Sequence, residues 1–165
     1  MEERSFDLLA MGRPEGPGCY CAANNILRTS VDRLSDAYDY VVIDNEAGLE
    51  HLSRRTTRDV DLLLLVSDPS LRGIIAAGRV AELVDELKTD VGDVYLIVNR
   101  VMGDTLPEPL MKAIEEHKLK LAGLIPADPA VNELDALGLP IVTLPDDAPI
   151  RRSLEAILKS VNGGP

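Results

Sequence analysis

Tyr40-Val41-Val42-Ile43-Asp44-Asn45-Glu46-Ala47-Gly48 is an apolar run that stops at a carboxylate and continues through a small residue into a glycine. The apolar part does not alternate with polar residues, so it reads as a strand covered on both faces. Working outward, Phe6–Met11, Leu62–Val66, Val94–Val98 and Leu121–Ile125 have the same character, and Pro140–Leu144 has it more weakly. Stretches with helical period lie between them. Ala22 to Ala37 places Ile26, Val31 and Leu34 near one face. Leu71 to Lys88 places Ile74, Ile75, Val80, Leu83, Val84 and Leu87 at mixed helical steps. Leu106 to His117 opens on Pro107 and Pro109, and Ala148 to Val161 carries Ile150, Leu154, Ile157, Leu158 and Val161 on one side. Asp146 and Asp147 stand where the positive end of that last helix is expected. Alternating strand and helix predict an α/β fold: a mostly parallel, doubly wound sheet with helices on both faces, formed by residues 1–165 as one domain.

The totals agree with an ordinary globular protein. The chain has 165 residues, 45% hydrophobic and 27% charged, with 3% aromatic and no Trp, so its core is aliphatic. A net charge of -11 speaks against binding a nucleic-acid backbone or an anionic membrane surface. No apolar run approaches the ~20 residues of a membrane span. Met1-Glu2-Glu3-Arg4 is not the start of a signal peptide, and the expectation is a cytoplasmic protein. In such a compartment the pair Cys19-Tyr20-Cys21 is not expected to form a structural disulfide.

In parallel α/β sheets, ligands gather at the carboxyl ends of the strands. The segments to inspect are therefore Gly12 to Cys21, Asp44 to His51, Ser67-Asp68-Pro69-Ser70, Asn99-Arg100 and Pro126-Ala127-Asp128-Pro129. Asp44 has two readings. A carboxylate at the end of an apolar strand can help hold the magnesium of a nucleotide. It can equally be a turn or helix-capping Asp. Ala47-Gly48 favours the first, because small residues let backbone N–H groups approach a phosphate.

Asp44-Asn45-Glu46-Ala47-Gly48-Leu49-Glu50-His51-Leu52-Ser53-Arg54-Arg55-Thr56 resembles the switch II segment of the MinD/ParA/NifH ATPases, and most closely the CooC-type accessory ATPases of carbon monoxide dehydrogenase. Gly16-Pro17-Gly18-Cys19-Tyr20-Cys21, followed by Asn24-Asn25, resembles the Cys-x-Cys loop of that family. Asn99-Arg100 resembles its adenine-contacting segment, and Ile125-Pro126-Ala127-Asp128-Pro129 its second base-side loop. The resemblance runs from Leu8 to about Leu158. It implies ATP or ADP with magnesium near Asp44, Ala47, Gly48, Asn99, Arg100, Pro126 and Asp128, with Asp44 in the catalytic position.

The sequence departs from the family at the phosphate side. No Gly-x-x-x-x-Gly-Lys-Ser/Thr pattern is present, and no Gly-Lys pair occurs. Phosphoryl transfer is mainly positioning and charge neutralisation, so ATP hydrolysis is not expected of this chain alone. In the family the P-loop strand is central, between the strand that ends at Asp44 and Leu62–Val66. Its absence would leave backbone groups unpaired in mid-sheet. Three arrangements remain open: the flanking strands close up, another chain fills the slot, or the sequence is a fragment or begins at a misplaced start site.

Two thiolates alone do not complete a structural zinc or nickel site, which usually needs three or four ligands. The resemblance implies that Cys19 and Cys21 hold the metal, nickel or zinc, across a two-fold dimer; thiolate softness alone also admits copper(I). The other reading is two ordinary cysteines. Neither His51 nor His117 is placed on the metal; His117, after Glu115-Glu116, suits the negative end of a helix. Arg54, Arg55 and Arg58 form a basic cluster, either a solvated face or a subunit contact; Asp85-Glu86 and Glu115-Glu116 read as solvated faces. The implied function is nickel insertion into carbon monoxide dehydrogenase, coupled to nucleotide state in full-length relatives. Two alternatives stay open: a non-catalytic metal-binding or interaction module, and one half of a split ATPase that needs a P-loop-bearing partner chain.

Overall fold

The computed structural model describes residues 6–10, 29–31, 33, 37–45, 60–86 and 91–161. The chain divides into two compact units, Met1–Arg58 and Asp59–Pro165. In the second unit, strand β1 (Val60–Ser67) leads to helix α1 (Leu71–Glu86), then β2 (Val91–Val101), α2 (Glu108–Glu116), β3 (Leu121–Pro126) and α3 (Pro129–Leu137). A short 3₁₀ turn (Ile141–Thr143) and α4 (Pro149–Val161) follow. The described strands form a three-stranded sheet in the order β1-β2-β3, both pairings parallel.

Leu62–Val66, Val94–Val98 and Leu121–Ile125 all lie in strands, as their unbroken apolar character requires. Helices cover both faces of this sheet. On one side Ile74 and Ala77 of α1 and Leu110, Ala113 and Ile114 of α2 pack with Leu65, Leu96, Val98 and Val101. On the other, Ile157 of α4 packs with Ile97 and Ile125. β2 therefore sends Leu96 and Val98 one way and Ile97 the other, the period-two alternation of a central strand buried on both sides. The expected α/β class, with a parallel sheet between helices, is what these residues build.

Several elements differ from expectation. Pro140–Leu144 is not a strand: Ile141–Thr143 is a single 3₁₀ turn closed by Thr143 N–H to Pro140 O at 3.1 Å and Leu144 N–H to Ile141 O at 3.1 Å. Helix α3 is not among the helices expected above; it carries Val131, Leu134 and Leu137 at three-residue steps and buries no residue completely. It forms through its ends: Asp128 caps the first turn, Pro129 fits there, and Gly138 closes the last turn at φ 64°. In the first unit, Thr29, Ser30, Val31 and Arg33 are helical, within the helix expected over Ala22 to Ala37. Phe6–Ala10 shows only an isolated bridge at Asp7, whose carboxylate accepts a hydrogen bond from the Tyr38 hydroxyl. Tyr40–Asn45 has no regular secondary structure, and Val42 is 91% exposed. The apolar run at Tyr40–Ile43 is thus not a strand here: among the described residues no strand pairs with it, and its backbone lacks the sheet ladder its composition suggests. No helix of the described residues is long and apolar enough to cross a membrane.

Candidate functional site

Because the strands are parallel, the ends of β1, β2 and β3 emerge on one edge of the sheet, and this edge holds four of the residues singled out in sequence. Its most unusual geometry lies at the end of β2. Val98 pairs with Leu124 and Val101 with Pro126, so Asn99 and Arg100 together stand opposite the single residue Ile125. Two residues against one is a β-bulge, a device that bends a strand and re-aims its side chains. Arg100 takes a left-handed backbone at φ 59°, uncommon for a residue with a side chain, and Asn99 Oδ1 accepts its N–H at 2.8 Å. An opposite irregularity lies earlier, where Ala122 is inserted in β3 between the partners of Leu96 and Ile97.

Beyond the bulge, Val101 is buried and its carbonyl accepts the Ala127 N–H at 2.9 Å. That bond ties the loop after β3 to the end of β2. Pro126 ends β3, and two residues on, Asp128 Oδ1 accepts the Ala130 N–H at 2.9 Å. Asn99, Arg100, Pro126 and Asp128 are therefore gathered on one stretch of the carboxyl edge. Asp128 has a structural task as the cap of α3, so one of its oxygens is engaged with the backbone. Arg100 is exposed, and its guanidinium is the permanent cation of this stretch. Met102 beside it is 83% exposed and precedes Gly103, which also has a left-handed backbone at φ 87°.

The end of β1 carries a polar network that the sequence indicated only as a turn. Ser67 is buried, and its hydroxyl donates to Asp68 O at 2.9 Å. The Ser70 hydroxyl donates to Asp68 Oδ1 at 2.6 Å and accepts the Gly73 N–H at 3.0 Å. A Cβ on Gly73 would meet Asp68 Oδ1 at 2.3 Å and Ser67 Oγ at 2.5 Å, so a glycine is needed for the loop to fold over the first turn of α1. The signal was present as two serines flanking Asp-Pro, with a glycine three residues after Ser70.

Asp44 belongs to the unit Met1–Arg58 and is exposed at the end of the irregular segment. Ala47, Gly48, Cys19 and Cys21 lie outside the described residues, as do His51, Arg54, Arg55 and Arg58. Among the described residues, no group of three or more His, Cys, Asp or Glu side chains could hold a metal ion. His117 caps the carboxyl end of α2, and its Nδ1 lies 3.1 Å from Glu82 Oε1 on α1. Asp146 meets Arg151 Nη1 at 2.6 Å and Asp147 meets Arg152 Nη2 at 3.8 Å, both across the start of α4. Away from this edge, at the start of β3, Lys120 Nζ donates to Asp93 Oδ1 at 2.8 Å and lies 5.6 Å from the centre of the Tyr95 ring. Asp93 holds the Lys120 ammonium above its ordinary pKa, first through the hydrogen bond and then through its charge.

The chain is 41% identical over 161 residues to an uncharacterised ATP-binding protein of Methanocaldococcus jannaschii, an alignment covering 98% of this chain and 63% of that protein. It is 30% identical over 142 residues to the carbon monoxide dehydrogenase accessory protein CooC of Rhodospirillum rubrum, covering 84% of this chain and 54% of that protein. Its fold superposes on the MinD cell division protein of Aquifex aeolicus with a TM-score of 0.68 at 23% identity, over 86% of this chain and 61% of that one. The chain thus spans less than two thirds of the length of each of these proteins. No protein-family model matches the chain.

Proposed function

We propose, from the premise that this chain is homologous to ATP-binding proteins of the MinD/ParA kind, that it carries the base side and switch segment of a nucleotide site and a thiolate metal site serving maturation of a nickel enzyme. The observation that carries the nucleotide reading is the bulge at Asn99–Arg100, tied through Val101 and Ala127 to the loop of Asp128 on the carboxyl edge. A strained, exposed Arg beside a braced loop is the kind of backbone irregularity that accompanies ligand binding. In this reading Asn99, Arg100, Pro126 and Asp128 flank the base, while Asp44, Ala47 and Gly48 face the phosphates and their magnesium. No Gly-Lys pair exists within these 165 residues, so in this reading ATP hydrolysis is not expected of them alone.

The metal reading rests on Cys19-Tyr20-Cys21 behind Gly16-Pro17-Gly18, together with the relative named as an accessory protein of carbon monoxide dehydrogenase. Two chains related by a two-fold axis would bring four sulfurs together, enough for a closed thiolate site. Nickel is the cargo, zinc an alternative occupant, and carbon monoxide dehydrogenase the client.

The test is metal content and molecular mass measured together on the purified chain loaded with nickel or zinc, beside the Cys19→Ser/Cys21→Ser variant. One metal per two chains, lost with dimerisation in the variant, is the expected result. A monomer that takes up neither metal overturns the metal reading. Nucleotide titration addresses the other half: in the chain supplemented with a phosphate-binding segment from a relative, Arg100→Ala is expected to weaken Mg-ATP binding roughly tenfold, the scale of one charge-assisted contact.

A further inference from the structure

We draw no further inference here: the strongest candidate, the outer edge of β1 with Val66 turned to solvent, is apolar surface for which nothing in the structure shows what covers it.

Discussion

Gly78 on α1 is buried directly beneath the His117 ring, and a Cβ there would stand 2.4 Å from its Cγ. Alanine normally improves a helix interior by roughly 0.5–1 kcal/mol over glycine. Here the overlap outweighs that gain, since overpacking typically costs about 1–3 kcal/mol. Gly78→Ala is therefore expected to lower stability in urea unfolding. His117→Ala in the same chain should recover most of the loss, and a double variant as unstable as Gly78→Ala would show the ring is not the obstacle. A second residue-scale effect concerns pH. Lys120 is held above its ordinary value of 10.5 by Asp93, so the proton it keeps in the folded state favours folding. That contribution is complete below the unfolded value and is lost as pH rises through the higher folded one. Unfolding midpoints followed from pH 9 to 12 should fall more steeply for the wild type than for Asp93→Asn. Parallel curves would mean the pair has no linkage to folding. Arg100 belongs to the same scale: its left-handed backbone is held by Asn99 and the bulge rather than by any preference of arginine.

Helix α4 meets the sheet through Ile157, with the partly buried Ile150 and Val161 packed in the same cluster. Ile157 is buried against Ile97 and Ile125, and it sits over Gly123, where a Cβ would meet its Cγ1 at 2.6 Å. The glycine in β3 lets the helix approach closely, a known use of glycine in strands. Ile157→Ala removes the centre of this smaller cluster and should cost about 2–5 kcal/mol. Leu158→Ala, one position along and exposed, should cost far less. Equal losses in chemical unfolding would mean that α4 packs on another face. The lesson of α3 is different. Its apolar pattern, Val131, Leu134 and Leu137, is short, and the capping residues Asp128 and Gly138 and the proline at its first turn mark its bounds. With only three such positions the period is easily passed over, and the end groups add the signal that bounds the helix.

Across the molecule, burial is uneven. Leu96, Ile97 and Val98 are at most 2% exposed and lie in a strand paired on both sides. Tyr40–Asn45 has no regular structure and is exposed throughout. Hydrogen exchange should therefore find the β2 amides among the slowest and those of Tyr40–Asn45 exchanging close to the rate of open chain. Equal protection in the two segments would mean that Tyr40–Ile43 is a paired strand in solution, as its composition first suggests. The same measurement on the chain joined to a phosphate-binding segment would read whether Asp44 becomes part of an ordered site.

The sequence by itself determined the α/β class, the three strands of the second unit and the helices α1, α2 and α4, because their burial is written as uninterrupted apolar runs and one-sided helical stripes. It placed Asn99, Arg100, Pro126 and Asp128 just after strands; the strands run further, so Asn99 and Arg100 lie within the end of β2 and Pro126 ends β3, and parallel topology brings all four to one edge. Only the tertiary structure decided that two residues of β2 face one of β3, that Arg100 adopts a left-handed backbone, that Gly78 and Gly123 admit His117 and Ile157, and that Pro140–Leu144 turns instead of pairing. Register and close approach depend on which residues meet across the sheet. Those partners are distant along the chain, so local composition carries no record of them.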